Sequence, residues 1–200
     1  MARARTELRF ALSLRVLSAS VAWFCLRARR QAIRTEDRFT LDSAARPREM
    51  AALLALAGAR TQVVELGTGT AWSAIALAID VPARRVLSYD PCVRPQREAY
   101  LSLVAAEVSA RIELRELPDT AGPLEGDPPV ELLFIDSAHD RESVLAAFAA
   151  WRDALAPAAV VVFHDYLHPG YPGVGEAVRE LGLGGREAGG VFIWSAPGAA

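Results

Sequence analysis

The chain has 200 residues, of which 52% are hydrophobic and 23% charged, a composition typical of one globular unit rather than a disordered chain. Its formal net charge of −2 and pI near 6.0 give no electrostatic basis for nucleic-acid binding. All 22 basic residues are arginine, which excludes a catalytic lysine. The two cysteines lack the spacing of metal ligands and are too few for a disulfide framework, which is typical of a protein in the reducing cytoplasm.

The first 40 residues differ from the rest because an apolar segment, Phe10 to Leu26, is flanked by arginines. The segment is shorter than the roughly 20 residues that a membrane-spanning helix needs, and Arg15 interrupts it. We therefore expect residues 1–40 to form a helical arm ahead of a ligand-binding domain, residues 41–200. The arm could pack against this domain, in a homodimer, or on a membrane surface.

A glycine turn after the first predicted strand is the main feature of the sequence. Asp42 and Ser43 predict the start of a helix that ends at Gly58, and the strand Gln62 to Leu66 follows. A second helical pattern then runs from Ala71 to Ile79. A junction between a strand and a helix leaves backbone N–H groups free for the polar groups of a ligand.

The spacing of the turn distinguishes two ligands. In the dinucleotide fingerprint G-x-G-x-x-G the third glycine packs helix on strand, but Trp72 holds that position, which argues against NAD. The spacing instead resembles the acid-x-G-x-G-x-G turn of class I S-adenosylmethionine (SAM)-dependent methyltransferases. Glu65, Gly67 and Gly69 are in place, and Ala71 stands where the last glycine would be. Alternatively, these residues could form a tight turn between the strand and the helix that binds no ligand.

Further strands alternate with helical patterns along the rest of the chain. The alternation predicts an α/β fold with a doubly wound, mostly parallel seven-stranded sheet and an antiparallel hairpin at the carboxyl end. The predicted strands are Arg85–Tyr89, Arg111–Leu117 near the sheet edge, Val130–Ile135, Ala159–Phe163 and two pieces within Gly185–Ser195, and the predicted helices are Arg94–Ala110, Arg141–Leu155 and Val174–Leu181.

Acidic and imidazole side chains follow several of these strands. Right-handed crossovers bring the carboxyl ends of parallel strands to one edge of the sheet, so these side chains should converge there. The residues expected at this edge are Glu65, Asp90, Asp136, His139, His164 and Asp165. Asp90 comes about 20 residues after the glycine turn, where an acid in such folds accepts hydrogen bonds from a ribose. Asp90 could instead only cap the loop before Pro91.

The segment Phe134 to Tyr166, FIDSAHDRESVLAAFAAWRDALAPAAVVVFHDY, resembles a known pattern. It is similar to the I-D-x-x-H … L-x-P-G-G … H-D-Y pattern of a small O-methyltransferase-like family of class I enzymes, although Ala158 and Ala159 replace the two glycines. The resemblance spans Glu65 to Tyr166. It implies a Rossmann-like methyltransferase fold, SAM as cofactor, and methyl transfer to a hydroxyl oxygen of a small-molecule acceptor.

The resemblance also implies roles for individual residues. The glycine turn would hold the methionine part of SAM, Asp90 its ribose, and the loop Leu117 to Asp119 its adenine. His139, next to Asp136, is the expected general base, and His164 is the alternative base. His139 could instead serve only as the cap of the following helix. The SAM-binding residues implied are Glu65, Gly67, Thr68, Gly69, Ser73, Asp90 and Asp136.

The resemblance leaves metal binding open. The metal-dependent relatives hold Mg²⁺ through an aspartate after the fourth strand and an Asp-Asn pair after the fifth. Asp136 and Asp165 match two of these positions, but Tyr166 occupies the third, and a tyrosine is a poor Mg²⁺ ligand. Two other functions remain as alternatives, an NAD(P)-binding oxidoreductase and a non-catalytic scaffold.

Overall fold

The computed structural model describes residues 2–198, with side chains from residue 5 onward. The strands are β1 (Gln62–Leu66), β2 (Arg85–Tyr89), β3 (Ile112–Arg115), β4 (Val130–Ile135), β5 (Leu155–Phe163), β6 (Arg186–Ala188) and β7 (Val191–Ser195). Within residues 2–198 they form one seven-stranded sheet of order β3-β2-β1-β4-β5-β7-β6. β1 to β5 are parallel, and β7 runs antiparallel to β5 and β6, which confirms the predicted fold and the terminal hairpin.

The helices differ from the sequence prediction at three places. One is the helix predicted over Arg141–Leu155, which ends at Trp151, because Leu155 already begins β5. The helices are α1 (Ala2–Ser13), α2 (Ala19–Arg34), α3 (Arg38–Ser43), α4 (Pro47–Ala57), α5 (Trp72–Asp80), α6 (Gln96–Leu101), α7 (Ala106–Ser109), α8 (Arg141–Trp151) and α9 (Pro172–Glu180). The helix start predicted at Asp42 and Ser43 is wrong, because both residues lie in α3. The single helix predicted over Arg94–Ala110 is two short helices, and the Arg27 guanidinium binds the Leu103 carbonyl between them.

The sheet is covered on both faces by helices and buries a hydrophobic cluster on each. Side chains alternate between the two faces along a strand, so Val63 and Val64 belong to different clusters. The central strands β4 and β5 end in almost continuous apolar runs, as strands buried on both faces do. The clusters therefore fix the sheet from both sides and hold its strand ends in place.

The N-terminal helices pack against the rest of the chain. Val21, Phe24 and Ala28 on α2 are buried, and the Phe24 ring lies edge-on to Trp72 of α5 at 5.9 Å. On the outer side of the arm, Trp23 is 57% exposed. Within residues 2–198 no helix combines the length and apolar character needed to cross a bilayer. Residue 1 of the predicted arm and residues 199–200 of the predicted domain lie outside the described residues.

A buried carboxylate connects the arm to the glycine turn. Asp37 caps α3 by accepting the Thr40 N–H at 3.1 Å, and it also accepts the Thr40 and Tyr100 hydroxyls, each at 2.7 Å. The Thr40 hydroxyl in turn lies 3.0 Å from the hydroxyl of Thr70 in the turn. These hydrogen bonds hold α3 beside the turn, with Phe39 3.7 Å from the position of a Cβ on Gly69.

The strand register brings four segments to one edge of the sheet. Leu66 pairs with Tyr89 on one side and with Ile135 on the other, and Ile135 pairs with Phe163. The residues that follow these four positions therefore lie side by side at the carboxyl edge, and these are Gly67, Asp90, Asp136 and His164.

Candidate functional site

A cavity of about 720 Å³ opens over this edge, a volume that suits a cofactor or drug-sized ligand. Its wall contains most of the residues predicted from sequence, which come from separate parts of the chain. These residues are Gly67, Thr68, Gly69, Ser73, Asp90, Asp119, Asp136, His139, His164 and Asp165. The predicted convergence at one edge of the sheet is therefore present in the structure.

The conformation of the glycine turn is required by contacts within the protein, independently of any ligand. Gly67 has φ +100°, and a Cβ on it would lie 2.1 Å from the Asp136 carbonyl oxygen, so the neighbouring strand end already requires glycine. Gly69 has φ +51°, and the nearest atom to its Cβ position belongs to Phe39 at 3.7 Å. Ala71, in place of the last glycine, adopts the left-handed conformation at φ +68°, which costs an alanine some strain.

Trp72 does not block the turn. Its ring packs edge-on against Phe24 and Tyr100, with both centroids 5.9 Å away, in the core between the arm and α5. Gly69 thus remains open toward the cavity. The large residue at the third position of the dinucleotide fingerprint is explained by its packing against the N-terminal arm.

Asp90 joins the end of β2 to the glycine turn. Its Oδ2 accepts the Gly69 N–H at 3.0 Å, and its Oδ1 accepts the Cys92 N–H at 2.8 Å. Arg97, which is only 6% exposed, donates to Asp90 Oδ2 at 2.6 Å and to the Gly69 carbonyl at 2.9 Å. Sequence reasoning missed Arg97; its signal was an arginine seven residues after the strand-end acid, at the start of a helix.

Glu65 lies beneath the turn rather than on the cavity wall. It is fully buried and accepts a hydrogen bond from the Ser88 hydroxyl, which lies 2.7 Å from the Thr68 hydroxyl. Burial raises the pKa of Glu65 to about 7, although the Ser73 and Ser88 hydroxyls lower it. One carboxylate oxygen, Oε1, has no hydrogen-bond partner. Glu65 therefore supports the turn from below through hydroxyl groups.

The carboxyl ends of β4 and β5 bring two aspartates and two histidines into one cluster. One donor atom from each of Asp136, His139, His164 and Asp165 lies within 4.8 Å of the others. Asp136 Oδ1 is 2.9 Å from His164 Nδ1 and 3.5 Å from His139 Nε2. Asp165 Oδ2 is 3.4 Å and 3.3 Å from the same two nitrogens. We call these four residues the His-Asp cluster.

The carboxylates change the charge of the imidazoles. Asp136 and then Asp165 raise the pKa of His139 to about 9, against the effect of burial. Burial lowers the pKa of His164, but the same carboxylates outweigh it and raise that pKa to about 10. Burial would raise the pKa of Asp165, yet the two histidines hold it well below its ordinary value. Without another cation, the cluster is therefore a set of protonated imidazoles and ionised carboxylates at neutral pH.

His139 is held in the cluster by a ring stack and is not the cap of α8. Asp140 caps that helix by accepting the Ser143 N–H at 2.9 Å. The His139 ring stacks on Tyr171 at 4.3 Å, and the exposed His168 stacks on the same tyrosine at 4.7 Å. The alternative of a helix-capping histidine is thus excluded, and His168 lies at the outer end of the stack.

The loop after β3 reaches the cavity through Asp119. Its carboxylate accepts the Ser137 hydroxyl, and its carbonyl accepts the Trp151 indole N–H at 2.7 Å. Leu117 packs against the hydrophobic cluster below. Of the three loop residues predicted to face adenine, Asp119 is the one on the cavity wall.

Comparison with known proteins identifies the family. A family profile described as a methyltransferase domain matches residues 64–166, which is half of the chain. The chain belongs to this methyltransferase family. The match runs from the glycine turn to the HDY segment, so it covers the strand ends that carry Asp90 and the His-Asp cluster. No curated protein matches the chain.

Solved methyltransferase structures share the fold. The O-methyltransferase from Bacillus cereus in complex with SAH is 18% identical, with TM-score 0.66, covering 83% of this chain and 88% of that one. The O-methyltransferase TomG from Streptomyces achromogenes, involved in tomaymycin synthesis and in complex with SAM, is 21% identical, with TM-score 0.62 and coverage of 92% and 91%. Cofactor-bound Rv0187 from MTB is 24% identical, with TM-score 0.61 and coverage of 78% and 82%. These likenesses show the Rossmann-like methyltransferase fold.

Proposed function

We propose that this methyltransferase transfers the methyl group of SAM to a hydroxyl oxygen of a small molecule. The observation that carries the proposal is one 720 Å³ cavity that contains the glycine turn, the acid after β2 and the His-Asp cluster. Two structures of the same fold are described as O-methyltransferases in complex with SAM or SAH, which supports both the cofactor and the acceptor atom.

The cofactor would lie along the glycine turn and the end of β2. Gly69 and Ser73, which is the second residue of α5, both line the cavity, so both can meet the methionine part of SAM. Asp90 would accept hydrogen bonds from the ribose hydroxyls while Arg97 and the Gly69 N–H fix its orientation. Asp119 would lie near the adenine.

The His-Asp cluster would act on the acceptor. Methyl transfer requires the attacking oxygen to stand in line with the methyl group and to lose its proton. His139 is the proposed general base, positioned by Asp136, Asp165 and the Tyr171 stack, and His164 is the second candidate. The imidazole must give up its own proton first, because the carboxylates favour the protonated form.

The donor set does not fit the Mg²⁺ ion of the metal-dependent relatives. Mg²⁺ prefers an octahedral shell of oxygen ligands, whereas two of the four converging donors are imidazole nitrogens. Tyr166, at the position of the third Mg²⁺ ligand, packs on Phe192 with ring centroids 5.0 Å apart. We therefore assign no step of the reaction to Mg²⁺.

The proposal is tested by titration calorimetry with SAM. The full chain should bind SAM, and Asp90→Ala should weaken binding by about 1–3 kcal/mol through lost hydrogen bonds. Asp153→Ala, which removes an exposed carboxylate, is the control and should bind like the parent. Binding of NADH without binding of SAM would overturn the proposal in favour of an oxidoreductase.

The catalytic assignment needs a second measurement. Product formation should be screened with phenolic and sugar acceptors, and His139→Ala should lower turnover much more than SAM affinity. His168→Ala, which removes the exposed ring on the other face of Tyr171, is the matched control. Equal losses of turnover and SAM affinity in His139→Ala would assign this residue to binding instead.

A further inference from the structure

We propose that the outer surface of the N-terminal arm binds to an anionic membrane surface. This arm surface consists of exposed apolar side chains on α1, the short turn after it and α2, together with the exposed arginines beside them. The apolar members are Leu8, Leu12, Val16 and Trp23, and the basic members are Arg5, Arg9, Arg15, Arg30 and Arg34. The inference does not depend on the proposed methyl transfer.

Charge is distributed unevenly along the chain. Residues 1–34 contain eight arginines and one acidic residue, whereas residues 35–200 contain 14 arginines and 23 acidic residues. The arm is therefore strongly basic and the rest of the chain is acidic, although the net charge of the whole protein is only −2. Anionic lipid headgroups attract the basic arm and repel the acidic remainder, so this separation of charge also orients the protein on the membrane.

The arginines of the arm surface are not neutralised within the protein. Glu7, the one acidic residue among residues 1–34, is already bound by Arg29, which donates to both carboxylate oxygens at 2.9 Å. Four exposed arginines make no ion pair or hydrogen bond with any residue that the structure describes, and these are Arg5, Arg9, Arg15 and Arg30. Their charges therefore remain available to an external anionic surface.

Helix α1 carries two leucines on the side that faces away from the protein. Leu8 is 62% exposed and Leu12 is 47% exposed, and two residues four positions apart lie on the same helix face. Arg5 and Arg9 each precede one of these leucines by three residues and are therefore their neighbours on the helix surface. Phe10, on the opposite side of α1, packs against the hydrophobic core. This pattern is typical of helices that lie in a membrane interface.

Helix α2 presents a tryptophan and arginines on its outer face. Trp23, Arg30 and Arg34 are separated by seven and four residues, a spacing that keeps them on one side of a helix, and all three are exposed. The other three tryptophans of the chain are buried or half-buried. A tryptophan suits the boundary between headgroups and acyl chains, because its ring is apolar and its indole N–H is polar. Both helices of the arm therefore combine exposed apolar and basic side chains.

The combination of apolar and basic groups favours a membrane over two other partners. A duplex nucleic acid would neutralise the arginines but offers little apolar surface to Leu8, Leu12 and Trp23. A second copy of the arm would cover the apolar side chains but would bring the two sets of arginines against each other, which is unfavourable. Anionic lipid satisfies both kinds of side chain, since the headgroups attract the arginines and the acyl chains accept the apolar groups.

The test is flotation of the full chain with lipid vesicles. Vesicles of phosphatidylcholine alone are compared with vesicles in which one lipid in three is phosphatidylglycerol. We expect binding only to the anionic vesicles, weaker binding at high salt, and a shift of the tryptophan emission to shorter wavelength as the Trp23 ring leaves water. Trp23→Phe should still bind but lose most of this shift. No binding, or equal binding to both kinds of vesicle, would overturn the inference.

Two further measurements test the other partners. Duplex DNA that binds the chain as tightly as the anionic vesicles do would overturn the inference in favour of a nucleic acid. Sedimentation velocity without lipid should show that Trp23→Ser and the parent have the same oligomeric state. A parent dimer that Trp23→Ser dissociates would instead assign the arm surface to a second copy of the chain.

Variants then separate the basic from the apolar members. Arg5→Gln combined with Arg9→Gln should lower vesicle affinity about 25-fold, because each basic residue near an anionic membrane contributes about fivefold. Leu8→Ser combined with Leu12→Ser should lower it at least about tenfold. Arg152→Gln, which removes an exposed arginine after α8, is the control and should bind like the parent. Circular dichroism should show that every variant is folded, and a folded arginine double variant that binds like the parent would refute the inference.

Discussion

The buried carboxyl of Glu65 makes stability depend on pH in a way that one substitution removes. In the unfolded chain this group ionises near its ordinary value of 4.5, whereas burial in the folded protein raises its pKa to about 7. Between these values the folded state keeps a proton that the unfolded state has lost. The free energy of unfolding should therefore fall as the pH rises from about 4.5 to 7 and then stay level with respect to this group.

The size of the effect follows from the two pKa values. A difference of about 2.5 pH units, at about 1.4 kcal/mol each, corresponds to about 3 kcal/mol. Because Glu65 is fully buried, solvent screening does not reduce this value strongly. Glu65→Gln keeps the shape of the side chain but cannot ionise. The variant should therefore gain about 3 kcal/mol relative to the parent between pH 4.5 and pH 8.

Urea unfolding of Glu65→Gln and the parent, at steps of half a pH unit, measures this difference in the free energy of unfolding. The contributions of the other titrating groups cancel in the difference because both proteins contain them. Glu131→Gln is the control, since the Gln62 and Thr61 N–H groups lower the pKa of Glu131. Both its folded and unfolded values lie below pH 5, so this variant should lose a constant amount of stability from pH 5.5 to 8. Parallel profiles of Glu65→Gln and the parent would refute the reasoning.

Three further predictions concern the turn and the arm. Arg97→Met should cost about 3–5 kcal/mol in the free energy of unfolding and also weaken SAM binding, because it leaves the Asp90 carboxylate without its cation; unchanged calorimetry would contradict this. Gly67→Ala should lower both thermal stability and SAM affinity, since its Cβ would meet a carbonyl oxygen at 2.1 Å. Phe24→Ala should cost about 3–5 kcal/mol in urea unfolding, whereas Trp23→Ala, at a 57% exposed position, should cost much less.

The sheet and the position of the site were predictable because both depend on local patterns. Apolar runs marked the strands, and an acid or histidine followed several of them, so the rule for parallel strand ends placed Asp90, Asp136 and His164 at one edge. The break within Arg94–Ala110 was not predicted; the Leu103 carbonyl at this break accepts a hydrogen bond from the Arg27 guanidinium of α2. Contacts between distant segments of this kind leave no periodic signal in the sequence.

The functions of individual side chains were less predictable than their positions. Glu65 was expected at the ligand, but the strand pleat turns it beneath the glycine turn. Gly67 was expected to bind SAM, and the structure shows that a close backbone contact already requires a glycine at this position. His139 and His164 were interpreted as alternative bases, but their distances to the two carboxylates could not be predicted, because tertiary structure alone sets them.

The hydrogen bonds of Asp37 bear on how molecules enter and leave the cavity. Swinging α3 outward would break the hydrogen bond from the Tyr100 hydroxyl to Asp37 and the contact between the Thr40 and Thr70 hydroxyls, so this wall should behave as a fixed support. Another part of the wall, formed by His168 and Tyr171, lies in a segment, residues 167–171, in which every residue is exposed. Exchange of substrate and product should therefore occur on the side of Tyr171, whose ring stacks on the His139 imidazole.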